Sequence, residues 1–307
     1  AKRHVDQKFS AQPSRLDELI ALYDQGKFSE VIRIGEKFAE EFPSSSVIWN
    51  LLGAANGGLK FLDEATRCFR EVCQIRPNDC EAHNNLGVAL TNQRNLIEAE
   101  ASYNRALQIK PNHVEVNNNL GNVLKEQGKL DDAVESFTRA LKIQRDHPEI
   151  HYNLGLVFQE QGNLDKALGS FTRAVQIKPD YALAHNGLGC ILREKGKQDE
   201  AIASFTRALQ NKTDYAEAYY NRGNCLLVQH ELGRAERDLT RAVKIKPDFA
   251  GAHNSLGKVL EQQGKLDEAI SIYNQGLKIT PENTSLLVRM LFTQFSMCDW
   301  SGLVKFE

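Results

Sequence analysis

No apolar run in these 307 residues approaches the roughly 20 needed to cross a bilayer as a helix, so membrane insertion is not expected. Charge of one sign is equally scarce. The 38 Lys and Arg stand against 40 Asp and Glu, a formal net charge of −2, so nothing in the totals directs the chain to nucleic acid or an anionic membrane. The opening AKRHVDQKFS has no apolar core of a secretory signal, and the location expected is cytoplasmic. Signatures of chemistry are missing too: there is no G-x-x-x-x-G-K-[ST] phosphate loop, no G-x-G-x-x-G, no H-E-x-x-H and no G-x-S-x-G. His147-Pro148-Glu149 is not followed by the P-C-x-x-C that a zinc deaminase needs. The expectation is a chain with no catalytic residue, no cofactor and no metal.

Six cysteines are present (Cys68, Cys73, Cys80, Cys190, Cys225 and Cys298), yet none forms a C-x-x-C pair and no histidines sit at zinc-finger spacing from them. They read as reduced, partly buried thiols. Asn211-Lys212-Thr213 and Asn283-Thr284-Ser285 match the glycosylation acceptor pattern, and without a sign of export both are taken as chance.

What is abundant is self-similarity. Glycines recur every 34 residues at Gly53, Gly87, Gly121, Gly155, Gly189, Gly223 and Gly257. Twelve residues beyond each lies an alanine (Ala65, Ala99, Ala133, Ala167, Ala201, Ala235, Ala269), and four further on a large side chain: Phe69, Tyr103, Phe137, Phe171, Phe205, Leu239 or Tyr273. Small residues let two helices approach closely, and the large one fills the space between neighbouring pairs. Leu52, Leu86, Leu120, Leu154, Leu188 and Leu256 precede the glycines and extend the buried stripe. Arg222 breaks that series with no explanation at this level. Gly128, Gly162, Gly196 and Gly264 sit where a first helix would end in a left-handed cap. All eight prolines fall before or between units, where none interrupts a helix; Pro148 is read as displaced by one or two positions.

The pattern [WH]-x-x-L-G, then A…F, then P resembles the tetratricopeptide (TPR) repeat family. The resemblance covers 46–283 as seven units of 34 residues, with a divergent unit at 12–45 that keeps Gly26 and Pro43, an N-terminal extension at 1–11 and an apolar helix at 284–307. It implies an all-α, right-handed superhelix (an α-solenoid of antiparallel helix pairs). In this family the first helix of each pair lines the inside, and the partners are proteins or extended peptides.

Counting each unit from residues 46, 80, 114 and so on, positions 2, 5, 6, 9, 12 and 13 share one helix face. Asparagine, a mediocre helix former, is enriched there: Asn84, Asn118, Asn186 and Asn254 at position 5, Asn85, Asn119, Asn153 and Asn221 at position 6, Asn122 and Asn224 at position 9. An amide carries both donor and acceptor, which suits pairing to the backbone of a bound peptide. Alternatively, some of these amides bridge adjacent units or face water. Position 2 is acidic in four units (Glu81, Glu115, Glu149, Glu217), while position 12 offers Lys125 and Arg193. His83, His151, His185 and His253 recur at position 4, which reads as a packing site.

Two functions follow as expectations. One is a scaffold that holds partner polypeptides in its groove. The other is the substrate-recruiting arm of a larger protein glycosyltransferase, because Asn85, Asn119, Asn153 and Asn221 resemble the asparagine ladder of the O-linked N-acetylglucosamine transferases; Leu51, Gly187 and Ser255 depart from it. Cys298-Asp299-Trp300 is similar to the exit of that family's repeats. No unit has Lys at position 5, which sets aside a co-chaperone carboxylate clamp. The apolar segment Thr284–Trp300 is expected to pack on a continuation of the chain or on a second copy, since a terminal repeat helix otherwise turns a polar face to water.

Overall fold

The computed structural model describes residues 13–296, and every regular element among them is an α-helix. After α1 (Pro13–Asp24) and α2 (Phe28–Glu41) come pairs of fixed length: α3 (Ser46–Gly58) and α4 (Leu62–Ile75), α5 (Cys80–Asn92) and α6 (Leu96–Ile109), α7 (Val114–Glu126) and α8 (Leu130–Ile143), α9 (Pro148–Glu160) and α10 (Leu164–Ile177). The same alternation continues with α11 (Ala182–Glu194) and α12 (Gln198–Asn211), α13 (Ala216–Val228) and α14 (Leu232–Ile245), α15 (Ala250–Gln262) and α16 (Leu266–Ile279), and ends at α17 (Thr284–Ser296). Loops this short make consecutive helices antiparallel neighbours. This is an all-α solenoid, built as two compact units, Ala1–Asn153 and Leu154–Glu307. The extension at 1–11 and the Cys298–Trp300 stretch lie outside the described residues.

One contact repeats in both units. A β-carbon on Gly53, Gly87 or Gly121 would come within 2.9, 2.6 or 2.7 Å of the ring of Phe69, Tyr103 or Phe137. In the second unit Phe171 covers Gly155 and Phe205 covers Gly189 at 2.8 and 2.6 Å, and Tyr273 lies on Gly257. Each large side chain therefore rests first on the glycine of its own helix pair. Phe171 also reaches the next pair, where Gly187 would meet it at 2.7 Å. As the ring stands, it leaves no space for a β-carbon at position 6 of that pair.

The first helix of each pair ends in one left-handed residue, because that conformation lets its own N–H and the next one turn back onto the last carbonyls. Gly26, Gly128, Gly162, Gly196 and Gly264 serve with φ between 71° and 76°. Lys60, Arg94 and His230 hold the same place at φ 64°, 63° and 59° and make the same bonds; the Phe61, Asn95 and Glu231 N–H groups donate to the carbonyls of Asn56, Leu90 and Leu226 at 2.9 Å. A β-carbon is strained in this region by about 1–2 kcal/mol, partly offset by the greater freedom of unfolded glycine. Lys60→Gly, Arg94→Gly and His230→Gly should each raise stability by about 0.5–1 kcal/mol. Thermal unfolding of the three variants checks this, and a fall in melting temperature would refute it.

Arg222 is bonded within the fold. Its Nε and Nη2 donate to Asp238 Oδ2 and Oδ1 at 2.7 and 2.8 Å, its Nη1 donates to Thr206 Oγ1 at 3.0 Å, and its guanidinium lies 5.8 Å from the Tyr219 ring centre. Asp238 occupies the position where four other units carry a buried serine (Ser102, Ser136, Ser170, Ser204). The two departures form one largely buried, bidentate ion pair. Pro148 needs a correction: it lies three residues past its place in the 34-residue phase, which Arg145 fills, and it opens α9, where its missing N–H costs nothing.

At α17 the apolar residues divide. Leu286 and Met290 are buried with Leu256, Leu260 and Tyr273, whereas Val288 and Phe292 are 48% and 71% exposed beside a cavity of about 690 Å³. Among the described residues no helix is long and apolar enough to cross a membrane.

Candidate functional site

The pair-opening helices are pinned at their starts by position 4. His83, His185 and His253 each donate from Nε2 to the carbonyl of Pro77, Pro179 or Pro247 at 3.1, 2.9 and 2.9 Å, and His151 does so to Arg145 at 2.9 Å. Trp49 donates to Pro43 at 2.9 Å and Asn117 to Pro111 at 3.3 Å by the same route, six residues back. The recurring imidazoles therefore answer to the backbone of their own junctions and not to one another.

That anchoring sets the register between neighbouring opening helices. Position 5 of one pair then faces position 6 of the next. In the first unit Asn119 Nδ2 donates to Asn84 Oδ1 at 3.3 Å and Asn153 Nδ2 to Asn118 Oδ1 at 3.1 Å. In the second unit Asn221 Nδ2 donates to Asn186 Oδ1 at 3.1 Å, while Asn221 Oδ1 accepts from Arg193 Nη1 at 3.0 Å. Three rungs of paired amides thus bridge adjacent repeats. Asn84 is only 3% exposed, so its amide is committed to the bridge.

The remaining amides differ. Asn85, Asn122 and Asn224 are half-buried and make no side-chain hydrogen bond among the described residues. Asn254 is half-buried with its Oδ1 shielded and unpaired. Of the ten asparagines picked out by spacing, six form the rungs and these four keep their bonding capacity. The same face carries exposed apolar side chains at Val88, Leu183 and Val228. Reading hydropathy at positions 2, 9 and 13, as well as amides, would have found them.

Charge on the face is partly spent. Glu81 accepts from His113 Nε2 at 2.8 Å, with His113 Nδ1 accepting the Val116 N–H at 3.4 Å. Glu149 lies 3.2 Å from His147, Glu217 pairs with Lys246 at 3.1 Å and Glu126 with Arg94 at 2.7 Å. Burial pushes the Cys68, Cys73 and Cys225 thiols up to about 11 and raises Cys80 and Cys190 in the same direction. These thiols stay protonated at neutral pH and make poor nucleophiles. The five are free; Cys298 lies outside the described residues.

Comparison with known proteins adds the following. Tetratricopeptide repeat profiles match residues 80–113, 102–135, 146–214 and 220–284, and a TPR repeat profile matches 121–162. No curated protein matches the chain. Among solved structures, the Cut9–Hcn1 hetero-tetramer of APC/C is similar over 81% of this chain at 19% identity and TM-score 0.63; the match spans 49% of that protein, about half its length. PilF of Pseudomonas aeruginosa is similar over 67% of this chain and 94% of its own at 18% identity, TM-score 0.60. At such identity both show the fold alone. YrrB, described as a TPR protein with an unusual peptide-binding site, is similar over 61% of this chain and 97% of its own at 25% identity, TM-score 0.51.

Proposed function

The chain belongs to the tetratricopeptide repeat family, and from that premise we propose that it is a protein–protein interaction module that grips an extended stretch of partner polypeptide along its pair-opening helices. The observation that carries this reading is the set of half-buried, unspent amides at Asn85, Asn122 and Asn224 beside the bonded rungs. A primary amide offers a donor and an acceptor in one plane, the complement of a peptide group. Packed helices lie about 8–10 Å apart, close to three residues of extended chain at about 3.3 Å each. Asn85 and Asn122, in successive repeats, would then meet the backbone about three residues apart, with little regard to sequence. Val88, Leu183 and Val228 would take up side chains between those points. The description of YrrB as peptide-binding is in keeping with this, although it concerns that protein.

The test uses twelve-residue peptides selected from a random displayed library by the wild-type protein. Asn85→Ala/Asn122→Ala/Asn224→Ala should weaken their binding by about tenfold or more, each lost bond being worth about 0.5–1.5 kcal/mol. Its melting temperature should stay close to that of wild type, because none of the three holds another side chain. Asn85→Ala/Asn119→Ala/Asn153→Ala should weaken binding and lower the melting temperature as well, since two of its members tie repeats together. Unchanged affinity in the first variant would remove these amides from the mechanism.

A narrower form of the same reading makes this the recruiting arm of a protein glycosyltransferase. It rests on Asn85, Asn119, Asn153 and Asn221 standing in one row, and none of the relatives above is such an enzyme. The intact mass of the protein in its own cell tests it: a value near 34.5 kDa leaves no room for a catalytic domain.

A further inference from the structure

We infer that the preferred partner segment is acidic, and that Arg193 with Asn221 and Asn224 in the second unit, and Lys125 with Asn122 in the first, receive its carboxylates. This rests on the polypeptide-binding reading and says which polypeptide.

The carboxylates and the cations of this face are unequally paired. At the opening ends of the helices, Glu81, Glu149 and Glu217 each stand against a basic side chain from a junction, at 2.8, 3.2 and 3.1 Å. At their closing ends Glu126 is taken by Arg94 and Glu261 by Arg289, at 2.7 and 3.6 Å. Lys125 and Arg193, at position 12 of the same face, have no carboxylate within ion-pair distance among the described residues. Glu194, next to Arg193 in sequence, instead accepts the Gln159 amide at 3.3 Å. Glu115, exposed and with no ion pair among the described residues, lies ten residues before Lys125 on α7, about 15 Å away along the helix.

Arg193 is also held in place. It is half-buried, and its Nη1 is fixed at 3.0 Å on the neutral carbonyl of Asn221, which is itself bonded to Asn186. A guanidinium gripped by an amide is oriented without being neutralised, and four of its five N–H donors are not used in that bond. Asn224 lies one turn beyond Asn221 on the same helix face, with its own amide free. A carboxylate placed between them would accept charge-assisted bonds from the guanidinium and one from the amide, the strong class of such contacts. Lys125 holds the same repeat position as Arg193, without such a cross-helix bond among the described residues; Asn122 stands three residues before it on α7, so a point charge and a half-buried amide share one helix face there. The asparagines alone would bind any backbone; these two cations make the face select.

The experiment is selection of a random twelve-residue peptide library on wild type and on Lys125→Met/Arg193→Met, with sequencing of the retained peptides. Wild type should enrich Asp and Glu over the input library. The variant should still retain peptides but lose that enrichment, and the best acidic wild-type peptide should bind it at least about tenfold more weakly. Arg193→Lys in place of Arg193→Met should recover part of the acid preference, which a merely collapsed rung would not. Enrichment that is neutral or basic in wild type, or acid enrichment that survives in the variant, would overturn this inference while leaving polypeptide binding intact. Retention of no peptide by wild type would overturn both.

Discussion

Asp238→Ala should lower the stability of the second unit by about 3–5 kcal/mol, the cost of leaving a buried charge without its partner. Arg222 and Asp238 are 18% and 10% exposed at their side chains, and Asp238 provides both acceptors for the bidentate contact. Without it, the guanidinium keeps only the Thr206 hydroxyl and the face of Tyr219. The double change Arg222→Leu/Asp238→Ser installs what most other units carry at these two positions. It should return stability to within about 1 kcal/mol of wild type or above it, because apolar packing commonly equals a buried ion pair once desolvation is counted. Denaturant unfolding followed as the midpoint of the second unit's transition is the measurement, since an array of repeats need not unfold in one step. A loss under about 1 kcal/mol in Asp238→Ala would mean that water reaches the guanidinium and that the pair is not a buried one.

The second large effect lies at the glycine–ring contact. Phe137 is fully buried, and Phe137→Ala should cost about 3–5 kcal/mol for the lost burial and the cavity left behind. Gly121→Ala should also destabilise, by about 1–3 kcal/mol, because its methyl would sit 2.7 Å from the ring. The sign of that change should reverse in the Phe137→Ala background. With the ring gone the methyl enters a void, and alanine is better than glycine in a helix by about 1 kcal/mol. A double-mutant cycle by denaturant unfolding reads this coupling directly. If Gly121→Ala costs the same in both backgrounds, the ring is not what requires glycine there.

The repeat was legible because the same small and large residues recur at the same offsets in unit after unit. Each copy confirms the others, so no single position had to be judged alone. The four glycine caps were legible for the same reason. Lys60, Arg94 and His230 were not, because nothing in a lysine, an arginine or a histidine announces a left-handed backbone. Only the bonds of the helix end, which force that conformation on whatever residue arrives there, show that they belong to the same series.

Arg222 failed as a reading for a different reason. Its partner Asp238 is 16 residues away, and an acidic residue on a helix looks like a solvated one until the fold brings it against the guanidinium. The asparagines were half legible. Spacing placed all ten on one face, and it left open whether they bridged repeats or stood free. Which does which depends on the neighbour across the gap: Asn119, Asn153 and Asn221 each meet an asparagine of the preceding pair, and Asn122 and Asn224 meet none.

The sequence by itself therefore determined the helix pairing, its 34-residue period and the face on which polar residues gather. These are properties of local spacing, set by helical geometry and by the sizes of residues a few turns apart. The tertiary structure alone decided which polar groups on that face are already satisfied and which still have bonds to give. Satisfaction is a property of pairs, and the pairs here join side chains as much as 35 residues apart, whose meeting depends on how neighbouring helices are set against each other.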